Sequence, residues 1–274
     1  MSATLDSILA ATRERVRASR ASADVAKLNQ LAEQHIPRGF HAALTRTHAA
    51  GRPAIIAELK KASPSKGLIR ADFQVATLAK ELEQAGATAL SVLTDEKFFQ
   101  GSLQNLELAS QSTTLPCLRK DFIIDEFQVL EARAHRADAV LLIVAALSSS
   151  ELNTFAGRAR ELSLDVLCEV HDETELERAL AAKCDLIGVN SRDLKTFKVN
   201  PETLFRLAPK IPAGVLRVAE SGIRSGEEMR RLTAAGYQAF LIGESLMRAP
   251  SPDVALQQMM AEYRSAPAHA PLPV

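Results

Sequence analysis

The chain has no tryptophan, few aromatic residues of any kind, three cysteines and no surplus charge of either sign. Each shortage removes a class of function. Lys+Arg and Asp+Glu number 33 each, which leaves no bulk field to draw a nucleic acid or an anionic membrane, so neither is expected as a partner and any anion must be bound locally. No apolar run nears the roughly 18 residues of a membrane span. The N-terminus carries arginines but also Asp6 and Glu14, without the apolar stretch of a leader, and reads as that of a cytoplasmic chain. Cys117, Cys168 and Cys184 are far apart, lie in or beside apolar runs and form no CxxC pattern. They are expected as three buried, unpaired thiols in a reducing cytosol. No histidine pair has metal-ligand spacing, so no metal is expected.

What the chain does have is 47% hydrophobic content over 274 residues, enough to bury a large core. From Pro53 onward, short apolar or β-branched runs alternate with amphipathic stretches of about 10 to 15 residues, the pattern of repeated βα units around a parallel sheet. The runs fall at 53–59, 89–93, 116–120, 139–144, 165–170, 186–190, 215–220 and 239–243. Between them Asp72, Ser148 with Glu151, Asp172 with Glu175, and Ser225 with Glu228 offer helix N-caps, while Gly86 and Gly236 offer left-handed stops. The expected fold is α/β: a (β/α)8 TIM barrel over residues 51–264. An open doubly wound sheet is the alternative, but no GxGxxG follows the first strand. Residues 1–50, with the stripe Leu5, Ile8 and Leu9, are expected as an N-terminal helical extension packed on one end of the barrel. The Pro- and Ala-rich residues 265–274 are expected as a disordered tail.

In such a barrel, chemistry gathers where the strands end. Strand one ends in Glu58 and Lys60, two residues apart and therefore on one face. Strand three ends in Arg119 and Lys120, strand five in Glu169, strand six in Asn190 followed by Arg192, and strand seven in Glu220 and Ser221. Single pairs of this kind could be ion pairs sealing the rim. Five polar strand ends at one mouth carry a desolvation cost that a purely structural role rarely repays. After strands seven and eight, AESGI and LIGES place Gly222 and Gly243 beside Ser221, Glu244 and Ser245, where bare backbone N–H groups could hold a phosphate or where the glycines could simply relieve tight turns. Phe98, Phe99 and Phe122 in two loops at the same end, with Leu141 on strand four, suit a planar ligand or ordinary loop packing. His171, just after Glu169, could support that residue from behind, but a place in a loop or at the start of the following helix is favoured.

The segments IAELKKASPSKG, SVLTDEKFFQGS, LRKDFIIDEFQ, CEVHDETEL, GVNSRDLKTF, VAESGI and AFLIGESLMR resemble, in order and spacing, those of the indole-3-glycerol phosphate synthase family of tryptophan biosynthesis. The resemblance spans roughly residues 5 to 262. It implies ring closure of 1-(2-carboxyphenylamino)-1-deoxyribulose 5-phosphate to indole-3-glycerol phosphate, with loss of CO2 and water and without cofactor or metal. By the same resemblance, Lys120 is the general acid, and Glu58 with Lys60 completes dehydration and holds the substrate carboxylate. Glu169 is a further acid/base group or cation stabiliser, and Asn190, Arg192, Glu220 and Ser221 position the ligand. Ser63, Gly222, Gly243, Glu244 and Ser245 form the phosphate site, and Phe99, Phe122 and Leu141 the aryl cleft. The sequence carries no sign of association with other enzymes of the pathway. Glutamates around the lysines favour ammonium groups, whereas a Schiff-base lysine needs a lowered pKa; this weighs against an aldolase-type barrel. Two departures from the family pattern stand out: Ala62 in place of a lysine, and Arg136 where a helix-ending glycine is usual.

Overall fold

The computed structural model describes residues 4–265; most of the tail segment, 266–274, lies outside the described residues. Eight parallel strands form the closed ring: β1 Ala54–Leu59, β2 Ala89–Leu93, β3 Cys117–Lys120, β4 Ala139–Ile143, β5 Asp165–Val170, β6 Leu186–Asn190, β7 Leu216–Glu220 and β8 Ala239–Ile242. Each pairs with its neighbours in sequence, and β1 closes on β8. The expected runs and the observed strands differ by a residue or so at their ends. One element is additional: Ala62–Ser63 pairs antiparallel with Gly67–Leu68, a small hairpin in the loop after β1 whose turn uses Gly67 at φ 65°.

The strand alternation sorts the core into two layers. Outward residues such as Ile55, Val92, Val140 and Phe240 pack beneath the surrounding helices. Inward residues such as Ile56, Leu118, Leu141, Leu167 and Leu241 fill the barrel. Helix starts follow the caps read from sequence: Ser148 caps α8 (Ser149–Glu161) with Glu151 completing a capping box, Asp172 caps α9 (Glu173–Ala181), and Ser225 caps α11 (Gly226–Ala234). Asp72 caps no helix, since the helix after it begins at Val75 behind Gln74. Arg136 follows α7 (Glu126–Ala134) at φ 68°. It takes the left-handed position that Gly86 and Gly236 fill elsewhere, at φ 98° and 102°.

Three helices precede the ring: α1 Leu5–Ser22, α2 Val25–Gln34 and α3 Phe40–Ala49. They touch both ends of the barrel. Arg15 and Arg20 of α1 bind Asp121 and Asp125 beyond the C-terminal end of β3. Arg38 binds Asp138 just before β4, and the His41 N–H donates to Asp165 at the start of β5. Ile8 and Leu9 of α1, and Phe40 and Leu44 of α3, join the inner apolar cluster.

Cys168 on β5 and Cys184 just before β6 are joined as a disulfide, while Cys117 is free and buried. The expectation of three unpaired thiols therefore fails for two of them. Strand pairing sets Cys168 beside Ile187, so a separation of 16 residues closes in space.

Candidate active site

At the C-terminal mouth a cavity of about 840 Å³ is walled by every residue that the family resemblance implied for the site, from Glu58 on β1 to Ser245 after β8. Register explains the gathering: Asn190 lies beside Glu220, Ile143 beside Glu169, and Leu93 beside Lys120, so these strand ends stand level around the rim.

Lys120 is central. Its Nζ donates to Glu169 Oε2 at 3.1 Å and lies 3.8 Å from Glu220 Oε2. Burial works against its charge, but Glu169, Glu220 and Glu58 outweigh that and hold its pKa above the ordinary lysine value. A Schiff-base lysine would need the opposite shift. The two carboxylates are pushed apart. Burial would raise Glu169, yet Lys120, His171 and Asn190 keep it well below the usual carboxylate range. Burial and the neighbouring Glu169 raise Glu220 far above it, against the pull of Lys120. Like charges this close do not both ionise easily, and the opposite shifts of the pair favour the proton on Glu220 over Glu169. Glu220 Oε1 has no hydrogen-bond partner among the described residues. Glu58 and Lys60 pair directly on the same inward face. Two glycines make room for these acids: a Cβ on Gly188 would run into the Glu220 carboxylate, and one on Gly243 into Glu58.

Beside this cluster the loops after β7 and β8 bend sharply. Ser221 and Gly222 take φ 68° and 79°, and Ser191 donates to the carbonyls of Glu220 and Ser221, pinning the turn. The Ser245 hydroxyl donates to Ile223 O, which leaves its N–H rather than its side chain for a ligand. Glu244, a carboxylate in an expected phosphate site, is turned onto Arg192 at 3.4 Å and Arg248 at 3.1 Å. Ser63 of the small hairpin and Lys66 in its turn close this side. Across the cavity Phe99 and Phe122 stand with ring centroids 6.3 Å apart, near Leu141. Phe98 is not part of the wall.

Three placements differ from the sequence reading or were missed by it. Arg119 does not reach the mouth: it neighbours Lys120, so it points the other way, fully buried against Asp121, Glu131, Thr94 Oγ1 and Gln128 O. Asp121 was not picked out, yet it lines the cavity and accepts from Arg15, Arg119, Thr94 and the Phe122 N–H. His171 does stand at a helix start, its N–H donating to Glu175. Its ring, however, lies between Glu175 and Glu169. The less favoured of the two readings, support of Glu169 from behind, thus matches where the ring lies.

A buried ammonium lies between one carboxylate whose pKa is lowered and one whose pKa is raised, with an aromatic wall on one side and glycine turns on the other. A model of the indole-3-glycerol phosphate synthase family matches residues 5–259. The chain belongs to that family. An indole-3-glycerol phosphate synthase from Koribacter versatilis (strain Ellin345) is 57% identical over 260 residues, covering 95% of this chain and 100% of that one. One from Polaromonas naphthalenivorans (strain CJ2) is 48% identical over 263 residues, covering 96% and 100%. Among solved structures, 3-hexulose-6-phosphate synthase superposes with TM-score 0.61 at 13% identity, over 76% of this chain and 99% of that one. Orotidine 5'-phosphate decarboxylase from Pyrococcus horikoshii OT3 gives 0.58 at 13%, over 77% and 100%. At such identities the likeness is one of fold, the barrel itself. Membership in the family makes the chain a carboxy-lyase of tryptophan biosynthesis acting on a small phosphorylated substrate. Among the described residues no helix is long and apolar enough to cross a membrane.

Proposed function

We propose that Lys120 is the proton donor in the ring closure of 1-(2-carboxyphenylamino)-1-deoxyribulose 5-phosphate. The observation that carries this role is the position of its Nζ, inside the cavity and held by Glu169 and Glu220. As the aryl ring carbon bonds to the ketone carbon, the ketone oxygen gains negative charge and takes the Lys120 proton. Loss of CO2 from the attacking ring carbon restores aromaticity; the new hydroxyl then takes a proton and leaves as water, while the CH2 beside the nitrogen gives one up to form the double bond of the new ring. Glu169, ionised, faces the positive charge that develops near the amine. Glu58 and Lys60, already paired, serve dehydration and the substrate carboxylate. Each positioned acid or base contributes typically 10²- to 10⁴-fold.

The remaining walls bind. Phe99, Phe122 and Leu141 take the aryl ring, and Asn190, Arg192 and Ser221 orient the chain. Ser63 and the N–H groups of Gly222, Gly243 and Ser245 hold the phosphate, with Glu244 kept off it by Arg192 and Arg248. No step calls for a metal or an organic cofactor. We place the reaction in the cytoplasm, because a doubly charged phosphate ester does not cross a bilayer unaided.

The test is direct. Incubation with the carboxyphenylamino deoxyribulose phosphate gives an indole fluorescence signal against a chain that has no tryptophan. Lys120→Ala is expected to abolish the signal while still binding a reduced, unreactive analogue of the substrate. Borohydride trapping of substrate on Lys120 would instead reveal Schiff-base chemistry and end this reading.

A further inference from the structure

His171 stands one residue beyond β5 and does not line the cavity. Its ring is nonetheless enclosed by charge. Nδ1 lies 2.9 Å from Glu175 Oε2 on α9, and Nε2 lies 3.4 Å from Glu169 Oε1. An ionised carboxylate only accepts, and a neutral imidazole carries one N–H. With a hydrogen-bonded carboxylate at Nδ1 and a second carboxylate at ion-pair distance from Nε2, which makes no hydrogen bond of its own, the surroundings favour the doubly protonated ring. The other charged groups nearby are Asp193, in the loop after β6, which His171 helps to depress, and, beyond Glu169, Lys120 and Glu220. Carboxylates thus surround the ring from β5, α9 and the loop after β6, and the Lys120 ammonium is engaged by Glu169.

We propose that His171 is a positioning residue for the ring closure: an imidazolium, anchored by Glu175, that keeps Glu169 ionised and aimed at Lys120, so that the proton shared by the mouth carboxylates stays on Glu220. The inference rests on the role given to Glu169 above. Lys120 alone discriminates weakly between the two acids, since it lies 3.1 Å from one and 3.8 Å from the other. His171 touches only Glu169 and breaks the tie. Burial opposes the ring's charge, but Glu169 and Glu175 outweigh it and carry its pKa up to about 10.

Nitrogen-15 NMR of the histidine-labelled enzyme tests the charge without mutation, His171→Gln serving only to assign the signal. Both ring nitrogens of His171 are expected to be protonated at pH 7.5 and to stay so to about pH 9, where an ordinary histidine of pKa roughly 6.5 is neutral. A singly protonated ring at pH 7.5 overturns the proposal and leaves the role of Glu169 standing. Kinetics tests the consequence. In His171→Gln, the acid limb of the kcat profile should move up by about one pH unit as Glu169 becomes easier to protonate, with KM little changed. Glu175→Gln should move it the same way by less. An unmoved limb in His171→Gln overturns the proposal. A Glu169→Gln enzyme with undiminished kcat overturns both readings at once.

Discussion

Arg15 Nη2 lies 2.9 and 3.1 Å from the two carboxylate oxygens of Asp121, the residue between Lys120 and Phe122. A helix more than a hundred residues upstream in sequence thus fastens the strand end that carries Lys120 and Phe122.

Removing that contact should cost stability in a pH-dependent way. Burial would raise Asp121, but Arg119 and Arg15, with Thr94, hold it below the ordinary aspartate value. A carboxylate depressed in the fold stabilises it above the unfolded pKa of roughly 3.9, and that contribution fades as pH falls through the lower folded value. Arg15→Ala should therefore lose about 2 kcal/mol at pH 7, with the gap to the parent closing below pH 4. Urea unfolding across pH measures it; a gap equal at pH 3 and pH 7 would show that packing, not charge, is what Arg15 supplies.

Glu220 presents the opposite sign. Its raised pKa means the folded state holds a proton that the unfolded chain releases above roughly pH 4.3, so the site costs stability as pH climbs from there toward the folded value. Glu220→Gln, a neutral isostere, should raise the melting temperature at pH 8, where each pK unit of the shift is worth roughly 1.4 kcal/mol. At pH 4 the two enzymes should melt alike. A lower melting temperature for the variant at pH 8 would place the proton elsewhere.

Gly243 should tolerate no side chain. A Cβ there meets the Glu58 side chain, and displacing an acid by about 1 Å commonly costs on the order of 10²-fold in rate. Gly243→Ala should lose about that much in kcat/KM while unfolding at nearly the parental urea concentration. Undiminished turnover would mean that Glu58 works from another position.

Arg136→Gly should stabilise the enzyme. Arg136 holds φ 68° after α7, a conformation that costs a residue with a Cβ roughly 1 kcal/mol and glycine little. Urea unfolding should show a gain of about that size, with kcat unchanged because Arg136 is remote from the mouth. A loss would mean that its side chain makes up for the backbone.

The sequence disclosed whatever follows from local periodicity. Strand runs, N-caps and the inward sequence Glu58, Lys60 need only a period of two or 3.6, and once eight strands are placed in a ring their last inward residues have to meet. Arg119 was misread because both charges at the end of strand three were sent to the mouth, although neighbours on a strand face opposite ways. Arg15 and the Cys168–Cys184 bond depend on which segments lie beside one another in space, and no local pattern encodes that. Arg136 shows the converse: its departure from the family's glycine pointed to one residue whose backbone the fold forces into an uncomfortable shape.

The three leading helices also bear on how the enzyme can be taken apart. Arg15 holds the C-terminal end of β3, while Arg38 and His41 hold the entries to β4 and β5 at the opposite end. A barrel cut free at residue 51 would lose ion pairs and apolar packing at both of its ends in the same stroke. The barrel is therefore not a cassette to be excised, swapped or permuted by itself; the unit that can be moved intact begins at α1.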